Sequence, residues 1–181
     1  MNNTKHLKRV LLNSISTLSK MKKDFLFNPD ADFTRTRKLS FDELIKLIIC
    51  MESGTIRDEL YKYFGISDSV LTTSAFIQQR SKVKHEAFKF IFESFNKKTC
   101  DIKLYKGYRL MAVDGSSLPI SLDIGDKETY SLNHGRDKKG YNAFHLHALY
   151  DLLEHTYNDI IIEGEAKYNE NKAFIDILDR Y

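Results

Sequence analysis

The stretch YRLMAVDGSSLPIS, residues 108–121, decides how the chain is read. Leu110, Met111, Ala112 and Val113 form a short apolar run of the kind that makes a buried strand, and the run stops on Asp114, with Gly115, Ser116 and Ser117 behind it. A carboxylate taken out of water is costly unless it is paired or binds a cation, so an acid closing an apolar strand points to a metal site. The same letters also spell an Asp-Gly turn at a strand end, which needs no chemistry. The neighbouring sequence has to decide between them.

Downstream, AFHLHALYDL (143–152) alternates in part, and TYNDIIIEGEA (156–166) is a β-branched run closed by Gly164. The connection LEHT between them is hairpin-length, so these two strands are expected to be antiparallel. A long polar loop, 116–142, separates the first strand from the second. After the third, Asn169 opens a segment with Ala173, Phe174, Ile177 and Leu178 at helical spacing.

Upstream the period changes. Ser40 and Glu43 have capping-box spacing before Phe41, Leu44, Ile45 and Ile48. Thr55 and Gly65 bracket a second helix, TSAFIQQRSKV (73–83) reads as a third, and 85–98 as a fourth with Phe88, Ile91, Phe92 and Phe95 on its core stripe. Short helices leading to one with polar and basic groups form a helix-turn-helix-like pattern. Gln78, Gln79, Arg80, Lys82 and Lys84 are its candidate DNA contacts, and the polar face of any small bundle is the plainer alternative.

Charge separates the same two regions. Residues 1–109 hold 21 Lys and Arg against 12 Asp and Glu, whereas 110–181 hold 7 against 13, so a net charge of +3 conceals a basic half and an acidic one. The first suits a polyanion and the second cations, or both are ordinary solvated surface. The two cysteines, Cys50 and Cys100, lack metal-ligand spacing and read as reduced packing thiols. No run is long and apolar enough to span a bilayer, and the basic start lacks the apolar core of a signal peptide, so an intracellular protein is expected.

Three strands and a helix in succession open a ribonuclease-H-like fold. The expected fold class is therefore α+β: a helical, basic, DNA-binding region over 1–100, then a partial ribonuclease-H-like domain over 101–181 with the first three strands and first helix. SAFIQQRSKV, RLMAVDGSSLPI and FHLHALYDLLEHTYNDIIIEG, in that order, resemble the DDE transposases of bacterial insertion sequences, in the group of insertion sequence four.

That resemblance implies a first strand lying centrally, with Asp114 as first catalytic acid and metal ligand. It also implies Mg2+ or Mn2+ as cofactor, and DNA, as element ends and target, as partner. A homodimer is compatible with it; a bacterial cytoplasmic, nucleoid-associated location is implied, and no membrane. In the family, three acids hold two ions that serve attack on a phosphodiester and departure of the leaving oxygen. The matching positions for the second and third acids are not found here, and Asp179 follows a helical pattern, so a truncated transposase inactive alone is expected. A non-catalytic DNA-binding protein, an inhibitor of a full-length transposase, and an unrelated α+β domain stay open.

Pairing of the second strand back along the first is expected to bring Asn142 and His145 nearer Asp114 than Asp151, with Glu163 and Glu165 returning toward the same end. His145 and His147 are expected to face one side of their strand, a spacing that can bind a metal, yet the sequence supplies no third ligand and packing histidines are the expectation. Ser116 and Ser117 lack a nucleophile-elbow context and read as turn caps. In the loop HGRDKKG (134–140), Arg136, Lys138 and Lys139 are candidate phosphate contacts.

Overall fold

In the computed structural model, which describes residues 3–35, 38–67, 70–99, 102–132 and 140–180, the chain divides into two units, Met1–Thr99 and Cys100–Tyr181. The first is helical: α1 (Asn3–Lys20), α2 (Phe41–Cys50), α3 (Ile56–Phe64), α4 (Thr73–Arg80) and α5 (Glu86–Thr99), with a 3₁₀ turn at Lys22–Phe25.

The helix starts follow from local chemistry. Ser40, Thr55 and Thr72 accept the amide hydrogens of Glu43, Asp58 and Ala75, which have no partner inside the helix. Gly65 ends α3 with φ of 79°, a conformation that costs glycine little. The basic start, given no element of its own within the expected helical region, is the long helix α1, and it buries Val10, Ile15 and Leu18. Ile15 and Leu18 join Leu26, Phe41, Ile45, Ala87 and Ile91 in one core cluster; Leu39, Leu44, Leu47, Leu60 and Phe76 form a second.

The helix expected over 73–83 stops at Arg80, because the backbone beyond it bonds elsewhere. The Lys82 carbonyl accepts from the Phe27 amide at 3.1 Å, and the Lys84 amide donates to the Phe25 carbonyl at 2.9 Å. Lys82, expected inside that helix, therefore lies beyond its end, as does Lys84.

The second unit is a sheet with one helix: β1 (Met111–Ile120), β2 (Tyr130–Ser131), β3 (Tyr141–Asp151), β4 (Thr156–Gly164) and α6 (Glu170–Arg180). The fold is thus mixed α+β, and the antiparallel sheet followed by a helix is consistent with a ribonuclease-H-like part. β3 pairs with β1 on one edge and with β4 and the short β2 on the other, all antiparallel. The β3–β4 hairpin turns at 152–155, as the short LEHT connection predicts, with His155 at φ of 55°.

Two expectations fail here. Among the described residues β3, not β1, is the central strand, since only β3 is paired on both edges. β1 also does not end at Asp114; it runs six residues further, and Pro119, which cannot donate to a ladder, is tolerated because β1 is an edge strand.

Candidate functional site

Strand parity sorts the candidate residues onto two faces. Residues opposite one another in a sheet share a face, and successive residues alternate. Asp114 pairs with Ala148, which pairs with Ile160; Ser117 pairs with His145, which pairs with Glu163. Positions 114 and 117 differ by an odd number, so Asp114 and the histidines lie on opposite faces.

The Asp114 face is open. Asp114 is exposed, and its side chain takes a hydrogen bond from the Gly115 amide at 2.8 Å. Its neighbours by register are Ala112, Ser116, Ala148 and Ile160, none of them acidic. Further along, Leu118, Phe144 and Ile162 are exposed on the same face.

The ranking of alternative acids changes because β1 continues past Asp114. Asp151 stands opposite Met111, three residues from Asp114, whereas Asn142 stands opposite Ile120, six away; His145 is as far along as Asp151. Glu163 shares the face of His145 and turns away from Asp114. Asp151 is structural. Its carboxylate is fully buried, takes the Arg109 guanidinium at 2.6 Å and 3.1 Å, and caps the hairpin turn through the Leu153 and Glu154 amides at 2.9 and 3.0 Å. Burial alone would push this carboxyl up; the Glu154 amide, the Arg109 guanidinium and the Leu153 amide together outweigh it and hold the group below the usual carboxylate range.

On the opposite face His145 and His147 are buried side by side, ring centroids 4.6 Å apart, so the expectation that they share a face is correct. Glu165 meets His145 Nδ1 at 3.3 Å and accepts the Ser117 hydroxyl at 2.9 Å, giving Ser117 a partner in the sheet in place of a turn cap. The Tyr168 ring stacks on His145 at 4.0 Å. Gly115 makes room for this packing, since a Cβ there would lie 2.7 Å from His145 Nε2. The sequence signal for Gly115 was read as a strand boundary; it marks a close approach within the strand.

The candidate DNA contacts of the helical unit separate by exposure. Gln78 and Arg80 are exposed, with Arg80 over the Phe76 ring at 5.8 Å. Gln79 is buried and accepts from Lys82 Nζ at 3.4 Å, and Lys82 also pairs with the buried Asp32 at 3.5 Å. Lys84 Nζ donates to the Asp24 carbonyl at 3.1 Å. Gln79 and Lys82 thus bind within the unit, leaving Gln78 and Arg80 as the solvent-facing pair on α4. Arg136, Lys138 and Lys139 lie outside the described residues. No helix among the described residues is long and apolar enough to cross a membrane.

Residues 105–181, the segment holding Asp114 and the whole sheet, match the model of the family described as the transposase DDE domain. No curated protein and no solved structure matches the chain. The match supports a DDE transposase family.

Proposed function

We propose that the chain works in DNA transposition as a DDE-class transposase of the insertion-sequence-four-like group, its chemistry being metal-dependent cleavage and transfer of DNA strands. The observation that carries this reading is Asp114: an exposed carboxylate set in the first strand of a segment that matches the transposase DDE domain. Its role is that of first catalytic acid. Gln78 and Arg80, on the exposed side of α4, and the basic stretch 134–140 supply contacts to bases and phosphates.

Mg2+ or Mn2+ would give such chemistry a clamp on the attacking and leaving oxygens. The described residues do not fit an ion pair by themselves. Asp114 has no carboxylate among its register neighbours, and no three His, Cys, Asp or Glu side chains among the described residues are already arranged as a ligand set. One carboxylate cannot hold two ions, so the described residues, arranged as they are, are expected to bind DNA without cutting it. That single acid also favours a second reading, a non-catalytic DNA-binding protein that inhibits an intact transposase.

Fluorescence anisotropy with mixed-sequence duplex DNA over a salt series, followed by incubation of a supercoiled plasmid with Mg2+ or Mn2+, tests the proposal. The expected outcome is binding that weakens linearly in log–log form as salt rises, with no nicking. Absence of binding at low salt removes the DNA-processing reading, and robust metal-dependent nicking removes the claim of inactivity.

A further inference from the structure

We infer that the face of the sheet turned away from Asp114 carries a second, unrelated binding site, for a transition-metal cation of the zinc class, built on His145 and His147 and closed by Glu163 and Glu170. This goes beyond the transposase reading and does not depend on it.

The starting observation is a pair of unmatched buried atoms. His145 is 6% and His147 2% exposed, and the Nε2 atom of each is buried with no hydrogen-bond partner. A buried polar atom without a partner is costly, and two on adjacent same-face imidazoles call for a common explanation. The form of His145 follows from its other nitrogen. Nδ1 faces the Glu165 carboxylate, which can only accept, so Nδ1 carries the hydrogen and Nε2 is the nitrogen left to bind an ion. A carboxylate behind one ring nitrogen with the other left free is the arrangement that orients metal-binding histidines. The Tyr168 ring, stacked at 4.0 Å and nearly parallel at 8°, fixes the plane of His145.

A carboxylate oxygen lies near each of the two nitrogens. Glu163 Oε2 lies 3.4 Å from His147 Nε2, and Glu170 Oε1 lies 3.9 Å from His145 Nε2. Two ligands each about 2.1 Å from a tetrahedral ion stand roughly 3.4 Å apart, so the first separation is that of a ligand pair and the second is somewhat wide. The side chains do not yet close on one point. Glu170 can close them: its side chain is 68% exposed on the first turn of α6 and is free to rotate inward. Gly115 keeps a side chain from crowding His145 Nε2, since a Cβ there would lie 2.7 Å away. Two imidazoles and two carboxylates form a nitrogen–oxygen set suited to Zn2+ or Co2+, and the two acids balance the ion's charge. Bound there, the ion would tie the start of α6 to β3 and β4.

Co2+ added to the full chain, with visible absorption as the readout, tests the site. The expected result is one Co2+ per chain with the strong bands of tetrahedral coordination, displaced by Zn2+. His147→Ala should abolish the bands, and Glu165→Gln should weaken affinity roughly 10- to 100-fold. Because a buried histidine variant can fail to fold, circular dichroism is run on each. Glu170→Gln, altered only at an exposed side chain, should weaken binding with the fold retained. A chain that takes up no Co2+, or bands that survive His147→Ala or Glu170→Gln undiminished, overturns the inference, as do bands lost on Asp114→Asn.

Discussion

Asp151 is the residue whose replacement the structure constrains most tightly. One carboxylate oxygen takes the Arg109 fork at 2.6 and 3.1 Å, and the other takes the Leu153 and Glu154 amides at 2.9 and 3.0 Å. Asp151→Ala removes both sets at a fully buried position. A hydrogen bond to a charged group contributes about 1.5–3 kcal/mol, and an amide left without its acceptor costs about 1–3 kcal/mol unless water reaches it. The turn amides are half-buried, so water recovers part of the second quantity. The expected loss is about 3–4 kcal/mol, at the lower end of what breaking a buried ion pair costs. Asp151→Asn keeps an oxygen for the turn and loses the charge, for a cost of about 1.5–2 kcal/mol.

Hydrogen exchange of the full chain, read on peptides within 141–164, reports opening of this sheet separately from the helical unit. Acid sharpens the test. The folded carboxyl is held below its ordinary value, so its contribution is complete above the unfolded value of about 3.9 and is lost as pH falls through the folded one. Asp151→Asn should flatten that acid limb. Equal protection in the wild type and both variants, or an acid limb that Asp151→Asn leaves unchanged, would refute the reasoning.

Three further outcomes are expected. The Tyr63 hydroxyl, pushed up to about 12 by burial and then by its bond to Glu43, should ionise well above the free-tyrosine range in an ultraviolet titration, in a step that Tyr63→Phe removes. Since that value lies above the unfolded one, its share of stability is present below about pH 10 and is lost as pH rises toward the folded value. Thr72→Ala, which deletes the cap on the Ala75 amide, should destabilise the helical unit by about 1 kcal/mol in urea unfolding; no change would mean the cap is idle. Ile162→Lys, placing charge on the open apolar face near Leu118 and Phe144, should lower self-association in light scattering, and an unchanged mass would show that this face does not drive it.

The elements with strong local signals were legible in the sequence. Ser40 and Thr55 are found as caps from letters alone, whereas Thr72 is not, and LEHT is too short for anything but a hairpin between a partly alternating run and a β-branched one. β1 was misread because Gly115, Ser116, Ser117 and Pro119 are all turn formers; they sit in an edge strand because β3 offers a partner for each. The same error misplaced Asn142 and Asp151 relative to Asp114. α1 was hidden by its charges, which mask a stripe of only three buried side chains, Val10, Ile15 and Leu18, among its apolar residues. Gln79 and Lys82 looked like DNA contacts because helix parity could not be fixed without knowing where α4 stops. Glu165 and Glu170 beside the histidines are tertiary neighbours, 20 and 25 residues beyond His145, and only the hairpin and α6 bring them back.

Whether DNA runs past Asp114 is tested most directly by the duplex affinity of the wild type and Asp114→Asn in excess chelator. Without cations an exposed carboxylate repels a phosphate; at about 4 Å in water this amounts to about 1 kcal/mol, or roughly fivefold in affinity. Tighter binding by Asp114→Asn, with the gap narrowing once Mg2+ is added, is the expected result. Identical affinities in chelator and in Mg2+ would place the DNA elsewhere and contradict the assignment of Asp114.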